Sequence, residues 1–274
     1  MKSFLVINIA NLPIKISCSN NIFLRKIQSH YKGFIDTRKK SRTVFELKIE
    51  ITNMPYKNLV CYRILKNTQR KSNLSICFED KINLTIDKYK NMAFLKTKKN
   101  FYYIDSALAI IHNYVLIKKN GIRIHAAALI RNQKGYLFFG PSGSGKTTVS
   151  HSVEGIVLHD DAALIRQVGK KFRIYNSPSK SRFIKNAHTK NESAELKGVF
   201  RLIKSINNKL KRTNHMTALK YLKEQQRGFA PCFGSNVLNN KISKTLYNLV
   251  NNVNTYNLYF RKKCDFWGLI DEIE

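Results

Sequence analysis

Acidic side chains are scarce in this sequence. Its 17 Asp and Glu residues stand against 49 Lys and Arg, and the formal net charge is +32. This excess indicates either an acidic partner, such as nucleic acid, anionic lipid or an acidic polypeptide, or the codon usage of an AT-rich genome. The basic residues are dispersed along the chain, which is typical of a solvated surface. We therefore prefer the second interpretation and do not predict a nucleic-acid partner.

Cysteines and long apolar runs are also few. The five cysteines are odd in number, scattered and without C-x-x-C spacing, which argues against a disulfide framework or a zinc site and favours a reducing compartment. No stretch approaches the roughly 18 apolar residues of a membrane span. The first eight residues are typical of a strand and not of a signal peptide. We expect a cytoplasmic protein without a membrane span.

The hydrophobic pattern divides the chain near residue 104. Residues 1–103 predict a small strand-rich unit, because Leu12–Cys18, Phe45–Ile51 and Ile82–Asp87 alternate between apolar and polar side chains. Residues 104–274 predict a second domain that contains all the candidate chemistry. We find no internal repeat and no low-complexity linker between the two.

The second domain begins with a predicted helix that Asp105 caps and that ends near Lys118. The mostly apolar segment Ile122–Ile130 then predicts one buried strand, and Tyr136–Phe139 predicts another. The turn between these two strands is short, so we expect an antiparallel hairpin. His125 lies in the middle of the first of them, where a lone histidine has either a structural or a functional role.

A phosphate-binding loop follows this hairpin. The sequence from Gly140 to Thr147, GPSGSGKT, fits the P-loop motif between a strand and a helix. Its glycines allow backbone N–H groups to turn inward around phosphate oxygens, and the helix N-terminus adds partial positive charge. Lys146 can reach the outer phosphates and the Thr147 hydroxyl can hold Mg²⁺. The predicted nucleotide-binding residues are Gly140, Ser142, Gly143, Ser144, Gly145, Lys146, Thr147 and Thr148.

A pair of acids follows shortly after the P-loop. Asp160 and Asp161 come directly after the short apolar strand predicted at Gly155–Leu158 and the intervening His159. We expect this strand to return beside the P-loop strand, so that its carboxyl end points at the phosphates. One carboxylate can then complete the Mg²⁺ shell, and the other can take a proton from an attacking hydroxyl or water.

The position of the acids excludes several P-loop classes. Transporter ATPases place their acidic residue far downstream, after an LSGGQ-type element that this chain lacks. The GTPase N-K-x-D motif is missing at a suitable place, and guanylate-kinase-type enzymes have a similar loop without the early acid pair.

The combination resembles the catalytic domain of HPr kinase/phosphorylase and its relatives in the phosphoenolpyruvate carboxykinase superfamily, including stand-alone HPr-kinase-like proteins of peptide-modification systems. The motifs that carry the resemblance are His125-Ala-Ala-Ala-Leu129, the P-loop and Leu158-His-Asp-Asp161. The resemblance implies an α/β fold in which a mixed β-sheet surrounds the P-loop and helices pack on the sheet. It also implies assembly into a homo-oligomer.

The resemblance further implies roles for individual residues. Asp160 matches the base that activates an acceptor serine, Asp161 matches an acid near the metal, and His125 matches a histidine beside the active site. The expected activity is ATP- and Mg²⁺-dependent phosphorylation of a serine or threonine in a peptide or small protein. Three alternatives stay open: a small-molecule kinase, an ATPase that uses the same site, and a non-catalytic module gated by nucleotide.

Overall fold

The computed structural model describes residues 4–38, 42–52, 63–65, 73–78, 82–152, 154–178, 190–226, 236–263 and 265–273. Two compact units are present: one contains the described residues up to Val115, the other those from Leu116 onwards. The assignment of functional domains on either side of residue 104 stays a prediction. The sequence also predicts a polar loop at residues 176–195 in which Lys180, Arg182 and Lys185 could contact acidic groups of a substrate, and these three residues lie outside the described ones.

The first unit is built on a mixed sheet. Its elements are β1 (Phe4–Ile9), β2 (Leu12–Cys18), α1 (Asn21–His30), a 3₁₀ turn (Lys32–Phe34), β3 (Phe45–Ile51), β4 (Arg63–Leu65), β5 (Asn73–Phe78), β6 (Ile82–Asp87) and β7 (Met92–Thr97), and α2 (Phe101–Lys118) begins in it. The described strands are ordered β1-β2-β3-β7-β6-β5-β4. β2 and β3 are parallel, and α1 is the crossover that a parallel pair requires.

Helix α2 begins earlier than the sequence predicts. It starts at Phe101, where the Asn100 side chain accepts the N–H of Tyr102 at 2.9 Å. The predicted N-cap, Asp105, is inside the helix and accepts hydrogen bonds from the Tyr31 hydroxyl and from Nε2 of His30 instead. The capping prediction was wrong because a tertiary contact uses this carboxylate.

The second unit contains the P-loop. Its elements are β8 (Gly121–Ile124), β9 (Ala126–Arg131), β10 (Lys134–Phe139), α3 (Lys146–Ser152), β11 (Ile156–His159), β12 (Ala163–Val168), β13 (Lys171–Tyr175), β14 (Ser193–Lys204), β15 (Lys209–Arg212), α4 (His215–Glu224), α5 (Asn236–Asn252), β16 (Thr255–Phe260) and α6 (Trp267–Asp271). The described strands form a mixed sheet ordered β11-β9-β10-β14-β13-β12-β8, and β16 pairs with both β14 and β15.

The region predicted as one strand from Ile122 to Ile130 is two strands. β8 pairs with β12, whereas β9 pairs with β10 and β11. The chain bends at His125 because the two halves join strands that are far apart in the sheet order. The predicted antiparallel hairpin of β9 and β10 is confirmed.

An aromatic core holds the strands around the P-loop in place. The ring of Phe138 on β10 stacks on Phe200 of β14 at a centroid distance of 5.1 Å, and Phe200 stacks on Tyr256 of β16 at 5.6 Å. Phe138 and Phe200 are fully buried. The predicted fold class, α/β with a mixed sheet and packed helices, is confirmed. Within the described ranges, we find no helix with the length and apolar character needed to cross a membrane.

Candidate functional site

The P-loop occupies the connection between β10 and α3, as the motif requires. Residues 140–145 form the loop, and α3 begins at Lys146. Two loop glycines adopt positive φ angles, 75° at Gly143 and 106° at Gly145. At Gly145 a side chain has no room as well, because a Cβ atom there would lie 2.6 Å from Cζ of Phe260. The loop conformation therefore depends on glycine and on its packing against the end of β16.

The polar side chains of the loop are arranged around its own backbone. The buried Lys146 donates hydrogen bonds from Nζ to the carbonyl oxygens of Gly140 and Pro141, at 2.9 and 3.2 Å. The Ser144 hydroxyl is buried beside Gly140 and has no hydrogen-bond partner among the described residues. Thr147 is half-buried, whereas the other predicted ligands Ser142 and Thr148 are exposed.

The acid pair follows β11, which does not lie beside the P-loop strand as predicted. β9 lies between β11 and β10, because the hairpin occupies one side of β10 and β14 the other. β10 and β11 are both antiparallel to β9 and therefore parallel to each other. Strands two places apart lie roughly 10 Å from each other. The P-loop follows the end of β10 and the acids follow the end of β11, and both strand ends lie at the same edge of the sheet.

The strand register brings the acids close to His125. His159, the last residue of β11, pairs with Ala128, and Phe139 at the end of β10 pairs with Ala126. Both strands therefore end near the start of β9, directly after His125. Nε2 of His125 lies 2.5 Å from a carboxylate oxygen of Asp161, and its backbone N–H donates to the carbonyl of Gln225 at 3.0 Å.

The two acids have different surroundings. Asp160 is only 2% exposed, and both of its carboxylate oxygens are buried without a hydrogen-bond partner among the described residues. The Asp161 side chain is 61% exposed and contacts His125. Because a buried carboxylate without a partner is unfavourable, a group that donates a hydrogen bond to the Asp160 oxygens would stabilise them.

His159 shapes the turn that carries the acids, a role that the sequence did not indicate. Its Nδ1 accepts the backbone N–H groups of Asp161 and Ala162 at 3.1 and 2.9 Å. Burial, and after it the charge of Arg123, lower the pKa of His159 to about 4, although Asp160 and Asp161 act in the opposite direction. The ring is therefore neutral near pH 7. Although Nδ1 is 3.5 Å from Asp160, this contact is not an ion pair, because Nδ1 is already an acceptor.

Arg123 is the residue of this site that the sequence analysis missed. It lies on β8, close enough to Asp161 and His159 for its charge to act on both. Burial lowers the pKa of Arg123, and the charge of Asp161 opposes that shift. Only the pairing of β8 with β12, which places Ile124 opposite Ala163, brings this arginine to the acids. No local pattern in the sequence indicates that pairing.

Comparison with protein-family models identifies a family for this chain. A family model described as SynChlorMet cassette protein ScmC matches residues 92–274. Among solved structures, the Hpr(Ser) kinase/phosphatase from Coxiella burnetii is similar over 56% of this chain and 99% of that chain, with 11% identity and a TM-score of 0.31. A likeness of that size supports no conclusion about the site. No curated protein matches the sequence. The family match includes every residue of the candidate site.

Proposed function

We propose that this chain, which belongs to the SynChlorMet cassette protein ScmC family, transfers the γ-phosphoryl group of ATP to a serine or threonine hydroxyl of a peptide or small protein. One observation carries the proposal. The P-loop and Asp160 each directly follow a strand, and both strands end at the same edge of the sheet. The buried Asp160 carboxylate has no hydrogen-bond partner among the described residues. Phosphoryl transfer requires positioned phosphates, compensated charge and a group that receives a proton, and these residues supply such groups.

The phosphates of ATP would bind at the P-loop. The backbone conformations at Gly143 and Gly145 suit a loop that surrounds phosphate oxygens with N–H groups. Lys146 is held against this loop by two of its carbonyl groups, so a short movement would transfer its ammonium group to a phosphate oxygen. The buried Ser144 hydroxyl would be satisfied by the same ligand.

The residues present also fit a magnesium ion that arrives with the nucleotide. Mg²⁺ prefers oxygen ligands and is usually bound by one or two carboxylates together with substrate phosphates and water. The described part of the chain contains no group of three His, Cys, Asp or Glu side chains that could hold a metal alone, so phosphates would have to complete the shell. Thr147 and Asp161 are the protein ligands that we propose. The ion would neutralise charge on the transferring phosphoryl group.

In the proposed reaction, the acceptor oxygen forms a bond to the γ-phosphorus as the bond from that phosphorus to the bridging oxygen of ADP breaks. The acceptor proton passes to the Asp160 carboxylate. The Asp160 oxygens, which accept no hydrogen bond from any described residue, have lone pairs available for this proton. Because Asp160 is 2% exposed, the hydroxyl has to reach it through a local opening of the residues that cover it.

Three residues around the second acid would complete the site: His125, Asp161 and Arg123. The 2.5 Å contact between His125 and Asp161 fixes the second acid while the first stays available. Arg123 contributes positive charge near Asp161, which would help to stabilise the charge that develops on the phosphoryl oxygens. We propose His125 as a catalytic-site residue on this basis.

A transfer assay with radiolabelled ATP and Mg²⁺ tests the proposal. The acceptors compared are serine- and threonine-containing peptides encoded beside this chain, free small-molecule hydroxyls, and water. We expect label on a peptide, and loss of that label when Lys146→Gln or Thr147→Ala weakens the phosphate and metal contacts. Label on a small molecule, or release of free phosphate at the same rate with and without peptide, would instead support the small-molecule kinase or the ATPase. ATP binding without turnover would instead support the non-catalytic module that is gated by nucleotide.

A further inference from the structure

The second unit contains three buried oxygens that belong neither to the P-loop nor to the acid pair. They are Oγ1 of Thr213, Oγ1 of Thr255 and Oδ1 of Asn257, and none of them has a hydrogen-bond partner among the described residues. The two threonines are 7% and 4% exposed. Because buried polar atoms are normally hydrogen-bonded, a ligand with polar groups of its own would stabilise all three.

The strand register places these three side chains on one face of the sheet. Thr213 lies opposite Thr255, since its N–H donates to the Thr255 carbonyl at 2.8 Å. Asn257 is two residues further along β16 than Thr255 and therefore points to the same side. Tyr256, between them, packs in the aromatic core on the opposite side. Thr213, Thr255 and Asn257 thus form a polar cluster on the face that is turned away from the aromatic core.

An arginine and a tyrosine adjoin the polar cluster. Arg201 on β14 is the register partner of Asn257, so its side chain points to the same face. The Arg201 guanidinium lies 3.8 Å from the ring centroid of Tyr221 on α4. Arg201, Tyr221 and Asn257 are each partly exposed, so that a ligand can approach the polar cluster from solvent. A planar cation supported by an aromatic ring is a surface on which a flat ligand can stack.

The polar cluster and the acids lie on opposite sides of the P-loop strand. On one side of β10 come β9 and then β11, which leads to the acids; on the other come β14 and then β16. Arg201 is the register partner of Phe139, the residue before the P-loop, and β16 lies roughly 10 Å from β10. In the proposed reaction the γ-phosphoryl group passes toward Asp160. The rest of the nucleotide would therefore extend the other way, toward β14 and β16.

We propose that the polar cluster, with Arg201 and Tyr221, binds the adenine base of ATP and selects it among purines. The Asn257 amide would accept a hydrogen bond from the exocyclic amine of adenine and donate one to the adjacent ring nitrogen N7, a pairing that suits the edge of this base. Arg201, supported by Tyr221, would stack on the base. That the base lies on this side of the P-loop rests on the proposed function, whereas recognition of the base requires no transfer.

Calorimetric titration of the full chain in the presence of Mg²⁺ tests the base site. The probes are ATP, inosine triphosphate and tripolyphosphate. Inosine carries a carbonyl oxygen in place of the exocyclic amine, and tripolyphosphate has no base. The variants are Asn257→Leu, which removes the amide, and Thr255→Val, which removes a hydroxyl and keeps the shape. Asn248→Leu is the matched control, because this amide is also half-buried but donates to Gln167 instead.

We expect the wild type and Asn248→Leu to bind ATP about tenfold more tightly than inosine triphosphate, and Asn257→Leu to reduce this preference to less than about twofold. Thr255→Val should weaken ATP binding about threefold, and Tyr221→Leu should do the same by removing the ring beneath Arg201. Tripolyphosphate should bind all variants equally well.

Equal affinity of the wild type for ATP and inosine triphosphate would overturn the proposal. The same holds for a preference that Asn257→Leu leaves unchanged. Loss of tripolyphosphate binding in Asn257→Leu would show that this variant is misfolded. Thr255→Val then decides the question, and an ATP affinity equal to that of the wild type would overturn the proposal.

Failure of this proposal and failure of the proposed function give different results. Preference for ATP that depends on Asn257, combined with no phosphorylation of any acceptor, would refute the kinase activity and leave the base site intact. Phosphoryl transfer with the same KM for ATP and inosine triphosphate, in the wild type and in Asn257→Leu, would refute the base site and leave the kinase activity intact.

Discussion

Replacing Gly145 with alanine places a methyl group where the P-loop has no room for one. The new Cβ would lie 2.6 Å from Cζ of Phe260, and Phe260 is itself 3% exposed and packed in the core. The φ angle of 106° is also one that residues with side chains rarely adopt. Two separate effects therefore oppose the native loop conformation in this variant.

The size of each effect can be estimated. A residue held in such a backbone region costs about 1–3 kcal/mol, and an extra methyl group in a packed site costs about 1–3 kcal/mol. We expect the free energy of unfolding to fall by about 2–6 kcal/mol, or the loop to shift to avoid that loss. A shifted loop should bind ATP at least about 30-fold more weakly, since about 1.4 kcal/mol corresponds to a factor of ten.

Urea unfolding followed by the fluorescence of the single tryptophan, Trp267, and calorimetric titration with ATP measure these effects. Gly143→Ala is the matched control, because φ is 75° but a Cβ added there would meet no described atom within 4 Å beyond its chain neighbours, so only about 1–2 kcal/mol of backbone strain applies. Combining Gly145→Ala with Phe260→Leu removes the clashing ring atoms. The double variant should be more stable than the sum of the single effects by about 1–3 kcal/mol. Additivity within about 0.5 kcal/mol would refute the proposed clash.

Two further predictions concern buried polar groups. The folded pKa of His159, about 4, lies below its ordinary value of 6.5, so the unfolded chain binds more protons between these values and stability falls as pH decreases. Between about pH 7 and about pH 4.5 this histidine should remove roughly 2–3 kcal/mol from the free energy of unfolding. His159→Asn should lack that part of the pH dependence in urea unfolding; an unchanged slope would contradict it. In the first unit, Tyr31→Phe removes the hydroxyl that a buried tyrosine donates to Asp105 and should lower stability by about 1–2 kcal/mol in thermal unfolding. No change would show that the contact contributes nothing.

Much of the local structure around the P-loop was predictable because its signals are local. The motif itself, the short turn between β9 and β10 and the apolar run of β10 determine a hairpin followed by the loop. The same holds for β2, β3 and β6, whose alternating side chains match a half-buried strand.

The arrangement of the site was less predictable, because it depends on pairings between distant segments. The bend at His125 exists because β8 and β9 join different partners. The segment from Ile122 to Ile130 contains no glycine, proline or other turn-forming residue that would indicate a break. Likewise, nothing near β11 indicates that β9 separates it from β10. Arg123 and His159 acquire their positions only through these pairings, and Asp105 contacts Tyr31 instead of capping a helix for the same reason.

Single-turnover phosphoryl transfer by Asp160→Asn tests the central claim most directly. The asparagine keeps the size of the side chain but cannot accept the acceptor proton as a carboxylate does. Glu272→Gln, an exposed site at the end of α6, is the control for loss of one negative charge. We predict that Asp160→Asn binds ATP within a few-fold of wild type and loses at least about 100-fold in transfer rate, the contribution typical of a general base. Transfer at the wild-type rate, with ATP binding equally intact, would contradict the claim that Asp160 receives the proton.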